Sequence, residues 1–149
     1  MSNKNKNIQI EVQGVKITLT DDQLKQIKLQ TEEDIFTANT YSKVCTRLKE
    51  KEYTLRDFSS FTKSDQPKLL AFAKIKQLER YFNQNWTVNW KNTNQYKYRP
   101  YFESRGSGLV FDGSIDCLWN FNAAVGFFKD KETSDFVGKT FIDIYKDLI

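Results

Sequence analysis

The stretch NQYKYRPYF, residues 94–102, puts four aromatic rings and two cations into nine positions, and it reads as most of a β-strand over residues 95–103. Side chains alternate across a strand, so Tyr96, Tyr98, Pro100 and Phe102 share one face while Lys97, Arg99 and Tyr101 share the other. The economical assignment buries the first set and leaves the second in water. Pro100 has no N–H to give a neighbouring strand, which predicts an edge position or a bulge. Around this strand, Trp86, Val88 and Trp90 alternate ahead of a polar turn. Residues 106–108 read as another turn, and Leu109 to Phe111 and Ala123 to Phe128 as short strands.

Helical patterns bracket these strands. LLAFAKIKQLERYF, residues 69–82, runs without a breaker behind Asp65, Gln66 and Pro67, a cap followed by a proline in the first turn. Ala71, Ile75, Leu78 and Phe82 recur at three- and four-residue steps, with Lys76 and Arg80 on the opposite side, as in an amphipathic core helix with a basic outer face. Upstream, Thr40 heads YSKVCTRLK, in which Val44, Cys45 and Leu48 can share a buried face. The last helix follows Asp130, with Val137, Phe141, Ile144, Tyr145 and Leu148 on one side and Lys139, Asp143 and Lys146 on the wet side. At the other end of the chain, IQIEV and VKITLT alternate around Gln13 and Gly14, which predicts a β-hairpin over Ile8 to Thr20. Thr20 and Gln23 then have capping-box spacing for a short helix from Asp21 to about Gln30.

The fold these elements predict is α+β: a small antiparallel β-sheet packed against two main amphipathic helices, with an N-terminal β-hairpin. A length of 149 residues suits one domain, expected over 8–149 behind a basic arm, MSNKNKN, at residues 1–7. No apolar run approaches about 18 residues, so neither a signal peptide nor a membrane span is expected, and the chain reads as cytoplasmic.

Composition narrows the chemistry. Histidine is absent, which removes the commonest general base and transition-metal ligand. Cys45 and Cys117 are too few for a disulfide framework, stand in no C-x-x-C pair, and read as small buried groups. SRGSGLVFDGS matches neither phosphate-binding loop pattern and reads as a hairpin turn, while Asp112 and Asp116 lack a third acid at metal-site spacing. No catalytic residue, cofactor or metal is expected. A net charge of +4 permits an acidic partner. From Arg80 to Phe102 there is no acid, and aromatic residues interleave with cations as in single-strand nucleic-acid binders. Lys76, Arg80, Lys91, Lys97, Arg99, Tyr101 and Arg105 are therefore the candidate partner-binding or nucleic-acid-binding surface. Acidic mimicry of DNA is excluded by the sign of the charge.

Taken together, NQNWTVNW, then NTNQYKYRPYFE, then AAVGFFKD and FVGKTFIDIYKDLI resemble an uncharacterised family of small proteins abundant in phages and prophages of Bacteroidetes. The likeness spans about residues 40–149 and leaves residues 8–32 outside it. Its most specific elements are NQ-x-KY and GK-x-F-x-x-x-YKD; Arg99, Phe127 and Phe128 depart from the pattern. The family has no catalytic assignment, so the resemblance transfers no site residues. It implies a phage accessory factor, with counter-defence inhibition of a host nuclease complex of the anti-CRISPR kind as the leading expectation. The partner would then be a host protein or nucleoprotein complex. Direct binding of single-stranded RNA or DNA, and a structural or self-associating virion role, stand beside it.

Overall fold

The computed structural model describes residues 8–12, 15–24, 35–106, 108–117 and 126–148. The arm at 1–7, the turn at Gln13 and Gly14, the helix expected beyond Leu24, Ser107, and the first part of the strand expected from Ala123 lie outside the described residues. The chain divides into two compact units, Met1–Thr37 and Ala38–Ile149, where the sequence reading set one domain from residue 8. The fold class is α+β.

In the first unit, strands β1 (Ile8–Val12) and β2 (Val15–Leu19) pair antiparallel, with Ile8 opposite Leu19, Ile10 opposite Ile17 and Val12 opposite Val15. Thr20 closes the box that its spacing predicts. Its Oγ1 accepts from Gln23 N at 3.3 Å, and its own N–H donates to Gln23 Oε1 at 3.0 Å, satisfying two donors that a helix start would otherwise orphan.

The second unit carries the candidate surface. Helix α1 (Tyr41–Leu48) starts on Thr40, whose side chain accepts from Lys43 N, and buries Val44 and Cys45. Helix α2 (Gln66–Asn83) carries Pro67 in its first turn and buries Ala71, Ile75, Leu78 and Phe82, the stripe its periodicity predicts. Strands β3 (Lys97–Arg105) and β4 (Gly108–Cys117) form an antiparallel hairpin, and β4 is longer than the Leu109 to Phe111 segment expected. A bulge lies between Tyr101, opposite Gly113, and Phe102, opposite Phe111. Pro100 sits beside it for a reason in the backbone. Tyr98 exchanges both main-chain hydrogen bonds with Phe128, so the polar groups of Tyr98 point away from β4. Pro100, two residues on, turns its missing donor the same way, and no β3–β4 bond is lost.

Asp130 caps α3 (Lys131–Thr140) by accepting from Thr133 N at 2.7 Å. The last helix is not continuous: it breaks at Phe141 and resumes as α4 (Ile142–Lys146). Phe141 and Tyr145 both face inward across the break, with the Phe82 ring centroid 5.9 Å from that of Phe141 and the Phe102 centroid 4.8 Å from that of Tyr145. Gly138 is where α3 meets the sheet. A Cβ there would lie 2.5 Å from the Phe111 ring and 2.8 Å from Pro100, so only hydrogen fits.

Candidate functional site

The first turn of β3 departs from the predicted pleat. Lys97, expected in water, is 1% exposed, and Tyr96, expected in the core, is 49% exposed. The strand begins only at Lys97, so Tyr96 precedes the alternation. Lys97 turns beneath the loop of residues 84–96, where main-chain carbonyls have no ladder to satisfy them. Its ammonium donates to Gln95 O at 2.7 Å and Asn92 O at 3.4 Å and lies 5.5 Å from the centroid of the Trp90 ring. A buried charge is tolerated on these terms because its donors are occupied. Beyond that point the prediction holds in part: Pro100 is buried and Tyr101 exposed, whereas Arg99, expected in water, is half-buried like Tyr98 and Phe102.

The same loop is stapled by Gln95, whose Nε2 donates to Thr87 O at 3.1 Å and whose Oε1 accepts from Asn89 N at 2.6 Å. The loop thereby holds Trp86, Val88 and Trp90 over one side of α2, enclosing a cleft of about 440 Å³. The facing wall is a second stripe of that helix, distinct from the core stripe: Phe72, Lys76, Glu79 and Asn83 at helical spacing, with Arg80 beside them. Phe127 closes one end, its ring edge-on to Trp90 with centroids 5.2 Å apart.

Phe127 is held there by the helix. Glu79 Oε1 accepts from Gly126 N at 2.5 Å and Phe127 N at 2.9 Å, while Asn83 Nδ2 donates to Phe127 O at 2.7 Å and Asn83 Oδ1 accepts from Lys129 N at 3.0 Å. Phe128 bonds the other way, to Tyr98. One edge of the 126–129 segment therefore pairs with a strand and the other with two side chains acting in place of one. Main-chain groups that would otherwise be orphaned between helix and sheet are satisfied on both edges.

The electrostatics revise the basic surface. Lys76 pairs with Glu79, and Arg80 forms a two-pronged pair with Glu50, Nε to Oε1 at 3.1 Å and Nη2 to Oε2 at 2.5 Å. The Arg80 guanidinium, and then the Gln77 amide, hold the Glu50 carboxyl below its ordinary range, and Glu50 in turn raises Arg80. Arg105 is tied to Glu103 at 2.8 Å and to Asp112 at 3.6 Å. Of the seven predicted residues, Lys76 and Arg80 line the cleft, Lys97 underlies its wall and Lys91 follows Trp90. Arg99, Tyr101 and Arg105 lie on β3 and do not line it.

The sequence reading missed Phe72, Glu79, Asn83 and Phe127 as a group. Phe72 was the detectable signal, an aromatic ring on the polar flank of an amphipathic helix. As to chemistry, both Glu79 oxygens are committed to bonds within the fold. Cys45 is buried, and desolvation pushes its thiol up. Among the described residues no three Cys, Asp or Glu side chains gather to hold a metal ion, and no helix is long and apolar enough to cross a membrane. No protein-family model, curated protein or solved structure matches the chain.

Proposed function

We propose that the chain is a non-enzymatic accessory binding protein that acts in the bacterial cytoplasm by holding a protein partner at the Trp86–Trp90 cleft. The observation that carries this reading is a preformed, aromatic-walled cleft on a surface whose cations are largely paired within the fold. Concave aromatic pockets are where protein interfaces concentrate their binding energy. A chain of phosphates, by contrast, needs a run of unpaired cations to track. The resemblance to phage and prophage proteins supports a partner among host complexes that attack nucleic acid, a CRISPR effector being one such, so that binding counters defence. The test is capture of the tagged chain from bacterial host cells with nuclease treatment, comparing wild type with Phe72→Ala and Trp90→Ala. A protein retained by wild type and lost with both variants is expected. Recovery of nucleic acid alone, or retention indifferent to both rings, overturns the reading.

One observation favours direct single-strand binding as a second reading. Tyr96 and Tyr98 stack with centroids 6.3 Å apart at 21°, Tyr96 and Tyr101 are exposed, and Arg99 between them has no salt bridge among the described residues. If Tyr101 stacks on a base, Tyr101→Ala costs about 1–3 kcal/mol of affinity. No binding of a mixed-sequence oligonucleotide at micromolar protein and about 50 mM salt excludes it.

A further inference from the structure

We propose that the occupant of the cleft is an acidic peptide segment that inserts one large apolar side chain, Leu, Phe or Trp, among Phe72, Trp86, Trp90 and Phe127; this rests on the reading of the chain as a protein-binding module.

The walls define the anchor. Glu79 Oε1 and Asn83 Oδ1 accept from the 126–129 main chain and Glu79 Oε2 from Lys76, so the cleft offers an occupant aromatic surface rather than free polar partners. Phe72 and Trp90 are nevertheless exposed, apolar area that only an occupant would remove from water. A cationic anchor is disfavoured because the Trp90 ring already engages the Lys97 ammonium, and a second cation on the same π-system would meet its repulsion. A volume of about 440 Å³ lies within the range of about 300–1,000 Å³ typical of ligand pockets, room for one large side chain and its flanking backbone.

The rim defines the flanks. In both ion pairs at the cleft the cation is the more exposed member: Lys76 is 45% exposed against 10% for Glu79, and Arg80 48% against 34% for Glu50. Glu79 is sunk and shared with two main-chain donors, so water sees mainly Lys76 of that pair, while Glu50 is half-exposed and divides its oxygens between Arg80 and Gln77. Lys91 adds an exposed charge next to Trp90, and no acid occurs between residues 80 and 102. This field is complementary to carboxylates on either side of an apolar anchor. It does not make a phosphate track, because Arg99 and Arg105 do not line the cleft and Arg105 is already paired.

The experiment is selection from a displayed library of random peptides roughly twelve residues long on the immobilised full chain at low salt, with counter-selection on Phe72→Ala. Neither Phe72 nor Lys91 is buried, so their variants test recognition in a folded chain. Enriched peptides are expected to carry a Leu, Phe or Trp flanked by more acids than bases. The best of them, synthesised, should bind Phe72→Ala at least about tenfold more weakly than wild type. Lys91→Glu and added salt should each weaken binding further. Three results overturn the proposal: enrichment of basic or non-apolar peptides, absence of any peptide whose binding needs Phe72, or displacement of the selected peptide by oligothymidine of similar length. Host-protein capture that depends on Phe72 and Trp90, together with failure of the peptide selection, would reject the acidic anchor and leave the protein-binding reading intact.

Discussion

Replacing Glu79 asks what this carboxylate does. Its Oε1 receives two main-chain N–H groups, Gly126 at 2.5 Å and Phe127 at 2.9 Å, and Oε2 faces Lys76. Glu79→Ala strands both donors in a buried site, where each unsatisfied group costs about 1–3 kcal/mol, so a loss of about 3–5 kcal/mol is expected after partial relaxation. Glu79→Gln keeps an acceptor oxygen and loses only the charge assistance, about 1–2 kcal/mol over two bonds. Lys76→Gln removes a half-exposed partner and should cost under about 1 kcal/mol. Urea unfolding reads all three: at a slope of about 2 kcal/mol/M, the alanine variant should unfold some 2 M earlier than wild type. Hydrogen exchange at Gly126 and Phe127 should quicken in that variant. If Lys76→Gln proves as costly as Glu79→Ala, the ion pair rather than the main-chain bonds is what matters, and the account of the 126–129 segment fails.

Three further outcomes follow from local geometry. Gly138→Ala drives a methyl into Phe111 and Pro100, and the overpacking should exceed the gain in helix propensity by about 1–2 kcal/mol; a neutral thermal shift would refute the close approach. The Tyr145 hydroxyl is buried without a partner among the described residues, and burial raises its pKa, so Tyr145→Phe should be neutral or stabilise by about 1–2 kcal/mol, whereas a clear loss in a denaturant melt would reveal a partner. Arg80 and Gln77 lower the pKa of Glu50 from its ordinary 4.5, so the folded state holds fewer protons on it than the unfolded chain in acid. Its contribution is therefore complete above about pH 4.5 and fades as pH falls through the lowered value. The stability gap between wild type and Glu50→Gln should close on acidification, and a gap that stays constant down to pH 2 contradicts the linkage.

The helix stripes were legible because they obey one period and one sign: Ala71, Ile75, Leu78 and Phe82 are apolar, correctly spaced and buried. The caps at Thr40 and Asp130 and the bulge beside Pro100 were legible because each depends on local backbone chemistry. Lys97 was not, since burial of a lysine depends on carbonyls supplied by a loop whose path no pattern specifies. Glu79 and Asn83 read as surface polar residues on a helix; their partners lie more than forty residues away. The break at Phe141 was equally hidden, because a continuous helix and a broken one both place Phe141 and Tyr145 on the same side.

These long-range polar contacts also separate binding from folding in a way that composition cannot. Exposed aromatic walls have no packing of their own to keep them apart, and an unsupported loop carrying Trp86 and Trp90 would gain by collapsing onto Phe72. Here the loop is fixed from behind by Gln95 and Lys97, and the Phe127 wall by Glu79 and Asn83, all through main-chain atoms. Four polar side chains therefore set the shape of an apolar site that they largely leave to others to contact. The NQ-x-KY element of residues 94–98 belongs to that scaffold: Gln95 and Lys97 shape the cleft, and Tyr96 faces water. An occupant meets walls already in place, so little of its binding energy is spent on ordering them. Substitutions at Phe72 should accordingly alter affinity with little effect on stability, whereas substitutions at Glu79 or Lys97 should alter both.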